Sequence, residues 1–496
     1  MNSRLLGIYF LIVPLTLSLI IYLSVQYGFK ALVIPFLLGF GLYILNKPRV
    51  IAYIFILTTV NFVGFIDPES FIRLPGVFKV NDLVFVLTML VFAIDVAKNG
   101  FVWPKKDKDL RIVFYLVLSF VCMVFLQIVV TSLRFDLPFV SSLKVGRSYF
   151  FLLFFFYLVH FFRDAADLYS LGRFLLFVCV LQFVFLIIQM LGIDIGASNR
   201  IINLDVGGEN VTRVYIPAMF YALMVFAIAL TFLLNDFYKK SLLLIILFIT
   251  ALSIILSFTR TYWGALACSI IFVFILGGAR IKLRLMKYVI PSLFIILPLM
   301  ILSDDGVFVE RALSIFKEIG SDEGNFVYRF TENPQRIEAF MNYPLFGPGF
   351  VHSNYAATLF NFILDLKGKS DSQIERALLL QTNDSGLITL LVSFGSIGIL
   401  WVVTKVIFLF KCSSRYQKTM SEIPLALLVG SCAFIISIWL VSVTTYGFMY
   451  ADGVVALTVS MYFISFALKT RFESSDDLLD QIDSNNQRSS FKKIRW

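Results

Sequence analysis

Long apolar runs alternate with short polar interruptions along most of the chain, and the lengths of the runs set the first expectation. Apolar blocks lie at about 5–26, 30–46, 50–66, 82–97, 111–131, 148–162, 173–193, 214–234, 241–258, 261–278, 287–303, 386–410, 422–445 and 450–468. A helix needs roughly 20 residues to cross a ~30 Å hydrocarbon core. The pattern therefore predicts an all-α polytopic membrane protein with about 14 transmembrane helices, or 12–14 if the shortest blocks merge or re-enter. The first block follows Arg4, exceeds the apolar core of a signal peptide and shows no small-residue cleavage site, so it reads as the first span. Residues 1–303 then carry spans one to eleven, 304–385 a large loop, 386–468 spans twelve to fourteen, and 469–496 a polar tail.

Composition agrees with this division: 59% of the 496 residues are hydrophobic and only 15% charged, where soluble domains run near ~25% charged. The net charge of +10 is a topology signal. With the N-terminus inside, the inside loops collect Lys47 and Arg49, Lys105, Lys106 and Lys108, Lys239 and Lys240, Arg280 to Lys287, and the basic tail. With Arg4, Lys98, Arg111, Arg163, Arg173, Lys411, Arg415 and Lys418, more than half of the 42 Lys and Arg residues fall on that side, as the positive-inside rule requires. Both termini are expected in the cytoplasm, and no nucleic-acid partner follows from the charge. The tail is acidic and then basic, which suits a segment without regular structure whose KKIR end meets anionic lipid. The spans are almost free of charge away from their ends, Asp95 and Lys405 being read as close to the cytoplasmic side. The five cysteines show neither a disulfide framework nor metal-ligand spacing, and no cofactor is expected.

The unusual residues collect on the outer side. Within 304–385, VFVERALSIFKEIG (307–320), RIEAFMNYPL (336–345) and NYAATLFNFILDL (354–366) have helical apolar spacing, so the loop is expected to be partly helical. NYPLFGPGF (342–350) is a rigid turn in which prolines fix φ and glycines reach backbone closed to other residues. Arg329 and Arg336 precede it, His352 follows it, and TNDSG (382–386) leads into span twelve. A Pro/Gly loop held by surface ion pairs would look the same. LSFTRTYWG (256–264) leaves almost no loop between spans nine and ten, and Arg260 there either faces a cavity or anion or snorkels to the interface. Lys144 and Arg147 in SSLKVGRSYFF (141–151) are three apart, on one helical face at the outer start of span six. Arg200 and Arg213 flank a Gly/Asn-rich outer loop. Guanidinium forks suit phosphate oxygens, so an anionic, pyrophosphate-bearing ligand at the outer interface fits these cations. His160 reads as an interfacial residue at the inner end of span six.

Arg329 followed by PLFGPGF, and then NDSGLITLLVSFGSIGIL (383–400), resembles the Wzy-type O-antigen polymerase and O-antigen ligase superfamily. That family's pattern is an arginine, a P-L-[FL]-G-x-G turn, a polar lead into a late span and an L-x3-G-x2-G stretch, here closed by Gly395 and Gly398. LSFTRTYWG is similar to its S-x-[ST]-R signature, LKVGRSYFFLLFFFYLV (143–159) to its Lys/Arg helix, and VNDLVFVLTMLV (80–91) to the start of an early span. Ligases of this kind carry histidine before the asparagine of the late span, whereas this chain has Thr382-Asn383-Asp384, which favours polymerase over ligase.

The resemblance implies a GT-C-like fold in a bacterial cytoplasmic membrane, with the active site facing the periplasm and no metal requirement. It implies transfer of a glycan from undecaprenyl pyrophosphate to a sugar hydroxyl of the next lipid-linked oligosaccharide, with membrane lipid, a chain-length regulator and a flippase as partners. Arg260 and Arg329, with Lys144, Arg147 and Arg336, would neutralise the departing diphosphate. His352 or Asp384 would take the hydroxyl proton, His352 being narrowly favoured because imidazole titrates near neutrality. Two rivals remain: a ligase that moves the finished glycan to lipid A core or protein, and a flippase or transporter of lipid-linked sugars. Transporters place ionisable residues or broken helices at mid-membrane.

Overall fold

A computed structural model describes residues 47–60, 79–105, 107–191, 201–206, 209–214, 218–236, 239–257, 259–288, 325–360, 380–381, 385–442, 450–474 and 477, with side chains placed for all of these except 201–214 and 325–332. Its helices are α1 (Pro48–Val60), α2 (Val80–Asn99), α3 (Lys108–Phe135), α4 (Phe139–Gly146), α5 (Phe154–Phe161), α6 (Ala165–Met190), α7 (Met219–Leu234), α8 (Lys240–Leu256), α9 (Arg260–Leu276), α10 (Asn325–Met341), α11 (Ser353–Phe360), α12 (Gly386–Tyr416), α13 (Glu422–Val441) and α14 (Ala451–Lys469). Residues 279–288 are also helical. A 3₁₀ segment, Arg147–Leu153, joins α4 to α5 without interruption.

Seven helices are long and apolar enough to cross a membrane, counting Phe139–Phe161 as one, and α1, α7, α8 and α9 are shorter apolar helices. These correspond to eleven of the fourteen apolar blocks. The blocks at 5–26 and 30–46 lie outside the described residues, as do nearly all of 287–303 and the amphipathic stretch 307–320. Two boundaries differ from the sequence reading with consequences. The sixth span begins at Phe139 and not near 148, so Lys144 and Arg147 sit inside it. The twelfth continues to Tyr416, past the expected 410, because Lys411 to Arg415 extend the helix into the polar layer. The Gly/Asn-rich loop carries an antiparallel hairpin, β1 (Ile201–Val206) with β2 (Glu209–Val214).

Local chemistry starts and stops the helices. The Asp107 carboxylate accepts from the Asp109 and Leu110 amides at the head of α3, and Asp136, in the left-handed region at φ 51°, closes it. Gly100 ends α2 at φ 74°. Packing then orders the bundle: the apolar stretches of α13 and α14 are 89% and 94% buried, against 17% for α2, so the former are central and α2 peripheral. At the α7–α13 crossing Gly430 has no room for a side chain, since a Cβ would lie 2.7 Å from Ile228 Cα.

Ion pairs gather one set of helix ends into a single face. Arg49 meets Asp167 at 2.7 Å, Asp95 meets His160 at 2.6 Å, Arg415 meets Asp109 at 2.6 Å and Arg280 meets Glu422 at 2.8 Å. Arg471 with Asp107, and Arg284 with Asp236, complete the belt. These are the segments that the charge pattern assigns to the inside. His160 differs from its expected interfacial role: it is buried, stacked on Phe101 and bonded to Asp95. At the opposite face Arg147 pairs with Asp82, and the Leu387 amide donates to Ser442 O at 2.9 Å.

Candidate functional site

On that opposite face the turn 343–350 and the glycine of α12 form one interlocked unit. Gly395 breaks α12 with φ 64° and ψ −157°, leaving a segment 386–394 and a segment 396–416. A broken helix frees backbone groups that need partners, and the turn supplies them. Gly349 N–H donates to Val392 O at 2.9 Å, and the Ser396 and Ile397 amides donate to Pro344 O and Leu345 O at 2.9 and 3.3 Å. Ser396 Oγ also donates to Pro344 O at 2.8 Å.

The remaining turn groups are held by α3. Gln127 Nε2 donates to Phe346 O and the Arg134 guanidinium to Gly347 O, both at 2.8 Å, while Thr131 Oγ1 accepts from the Phe350 amide at 3.1 Å. Gln381 Nε2 donates to Gly349 O at 2.8 Å. The glycines are required by close approach as well as by conformation. A Cβ on Gly347 (φ 69°) would lie 2.3 Å from Val392 O, and one on Gly349 (φ 97°) would lie 1.9 Å from Thr131 Oγ1. Phe350, fully buried, plugs the turn into an aromatic cluster with Tyr149 at 5.6 Å and Phe394 at 5.3 Å. Above it Ala339, Val351, Ala356, Leu380 and Val392 form a small second core that fastens α10 and α11 to α12.

The expected site residues fall around this unit unevenly. Arg336, on α10, is 2% exposed. Arg147 heads the 3₁₀ segment, half-buried, 3.2 Å from the Asp82 carboxylate. Asp82 also accepts from the Lys79 amide at 2.8 Å, so one carboxylate both starts α2 and partly neutralises this arginine. Lys144 is exposed, whereas Arg147 three residues on is half-buried. Arg260 is the first residue of α9, half-buried, after a link of only Ser257 to Thr259 from α8. Its helix α9 packs on α13, whose end meets the start of α12. Arg329 lies on α10 with its side chain outside the described residues, as are Asp384 and Arg200 entirely; Arg213 is on β2, its side chain likewise outside them.

His352 stands at the head of α11. Its carbonyl accepts from the Tyr355 and Ala356 amides at 2.9 and 3.1 Å, and its ring Nδ1 accepts from the Asn354 amide at 3.3 Å. A neutral imidazole that accepts at Nδ1 carries its proton on Nε2.

Sequence reasoning missed Gln127, Thr131 and Arg134, which bind the turn from a distant helix. Their only signal was polarity at the end of an apolar block, Gln127 and Thr131 within 111–131 and Arg134 just after it. Lys405, read as close to the cytoplasmic side, is buried within α12. The clustering gives a rigid, polar-lined platform on one face of an apolar bundle, with buried or half-buried cations around it. No protein-family model matches the chain, and no curated protein matches it either.

Proposed function

We propose that this protein is a glycan polymerase acting on lipid-linked sugars at the outer face of a bacterial cytoplasmic membrane, with both termini in the cytoplasm, a GT-C-like fold and the interlocked turn at its active site. The observation that carries this reading is the meeting of the two stretches behind the family resemblance, PLFGPGF and the Gly395 break, which pair backbone to backbone. An acceptor hydroxyl attacks the anomeric carbon of the donor glycan, the bond to the diphosphate oxygen breaks, and the hydroxyl proton passes to a base. Diphosphate leaves readily, so the protein's work is alignment and charge neutralisation. Arg336, Arg260 and Arg147 supply positive charge on one face, Asp82 tempering the last. His352 or Asp384 takes the hydroxyl proton.

The test is reaction of the purified protein with synthetic undecaprenyl-pyrophosphate-linked repeat unit, without nucleotide or metal, scored as a ladder of products. Arg260→Ala and Arg336→Ala should each slow chain growth by about 100-fold, the usual scale for removing one charge-stabilising donor. Long chains made at the wild-type rate by both variants would sink the assignment. Transfer of finished chains to lipid A core, with no ladder, would identify a ligase.

A flippase or transporter gains support from one observation, the broken α12 with a buried lysine in its interior. Proteoliposomes loaded with unpolymerised unit separate the two: a transporter moves single units across, and a polymerase lengthens them on one side.

A further inference from the structure

Two helices measure how deep the turn 343–350 lies. α3 and α12 are level at the ion-pair face, where Arg415 of α12 meets Asp109 of α3 at 2.6 Å. At 1.5 Å per residue, Gln127, which holds Phe346 O, lies about 27 Å along α3 from Asp109. Ser396, which holds Pro344 O, lies about 28 Å along α12 from Arg415. The polar layer at the ion-pair end is marked by Arg111 on α3 and by the exposed Lys411 on α12, which leaves the turn only about 22–24 Å above it. A hydrocarbon core is about 30 Å thick, and helix tilt shortens the height further. The turn thus lies several ångströms below the far edge of that core.

Its bonding agrees with this depth. A turn in water leaves carbonyls to solvent, whereas non-helical backbone at membrane depth must find its partners in protein. Every carbonyl from Tyr343 to Gly347 does so, accepting in turn from the Gly347 amide, Ser396, the Ile397 amide, Gln127 and Arg134. The side chains that the turn presents outward are apolar: Leu345 is 63% exposed and Phe346 46%, and Met341 at the end of α10 is exposed too. On α3, Leu126 and Leu133, each one residue before a side chain that grips the turn, are also exposed. Seven residues beyond Gln127, about 10 Å higher, the Arg134 guanidinium stacks on the Tyr343 ring at 4.7 Å. Arginine and tyrosine both favour the headgroup layer.

We propose that the turn is a re-entrant element, with Leu345 and Phe346 beneath the lipid headgroups and against the hydrocarbon chains of the leaflet on that side. Arg134 and Tyr343 stand at the headgroup level above them. A lipid with a long hydrocarbon tail then reaches the turn sideways, without leaving the bilayer. This contact does not depend on the polymerase reading.

The test places a nitroxide at Leu345→Cys or Phe346→Cys in an otherwise cysteine-free full-length chain, held in nanodiscs of phosphatidylethanolamine and phosphatidylglycerol. Collision rates are measured with oxygen, which concentrates in hydrocarbon, and with a nickel chelate, which stays in water. Two references bracket the result: Leu126→Cys, at the same height on the exposed side of α3, and Lys240→Cys, exposed at the ion-pair face. The oxygen-to-nickel ratio at both turn positions should match that at Leu126→Cys and exceed that at Lys240→Cys by at least about tenfold. A ratio nearer to that of Lys240→Cys overturns the proposal. Slow collision with both probes overturns it too, because protein and not lipid would then cover the turn. Met341→Cys repeats the measurement if either turn variant melts below its parent. No substrate is present, so the outcome is separate from whether the protein polymerises anything.

Discussion

Gly395 combines two constraints, a φ of 64° and a Cβ position 2.3 Å from Leu345 O, and both involve backbone that cannot rotate away. Gly395→Ala should destabilise the turn by on the order of 1–3 kcal/mol through conformation alone, with the clash added. The expected readout is a lower melting temperature together with faster hydrogen exchange at Gly349 N–H, whose acceptor is Val392 O. Wild-type exchange at that amide would mean that the interlock does not depend on Gly395. Gly398, quoted beside it as half of one sequence motif, has another role: its missing Cβ faces Phe394 and Leu390 of its own helix. At this scale the sequence shows which residues are special without showing what they touch. Arg147 was legible as a cation near the outer face, but its pairing with Asp82, far away along the chain, was not. A through-space neighbour leaves no mark in local spacing.

Asp236, between α7 and α8, illustrates how elements are joined at their ends. Its carboxyl is held below the ordinary carboxylate range, first by the hydrogen bond from Lys240 and then by the charges of Arg284 and Arg280. A carboxyl lowered in the folded state adds stability above its unfolded value of about 3.9 and loses it as pH falls through the folded value. Thermal melts from pH 6 to 3 should therefore show an acid-side fall that is shallower in Asp236→Asn, the difference shrinking in high salt because the carboxylate is at the surface. Identical pH profiles would show that this cluster carries no linkage. The existence of the long helices was legible because each apolar block exceeds what a soluble core would bury; their ends were less so. The hairpin was missed although its signal was present, two strand-like runs separated by Gly207-Gly208, because the glycines had been read as loop composition.

For the molecule as a whole, the charge pattern foresaw which helix ends lie together, and the ion-pair belt draws those ends into one face. Which side of the membrane that face meets is a separate question with a direct test. In a cysteine-free background, Thr358→Cys should react with an impermeant maleimide on intact spheroplasts, whereas Lys282→Cys should react only after permeabilisation. The reverse pattern would invert the orientation and remove the outer-face site. The grouping of helix ends was legible because basic residues collect in the short loops that join them. The candidate site was legible only as separate pieces, since packing had to bring 343–350 and 395 together.

The hydrogen bond from Gly349 to Val392 also has a consequence for how this chain can vary. The bond holds the end of the turn against α12, and Val351, Ala356 and Leu380 pack on the same helix, so the chain on both sides of the stretch between 360 and 380 is fastened to α12. Lengthening that stretch is cheap, about 0.6 kcal/mol for each doubling. That attachment separates what must stay constant from what is free to diverge: new segments could be spliced between 360 and 380, changing what is recognised above the membrane, while the helices beneath keep their register.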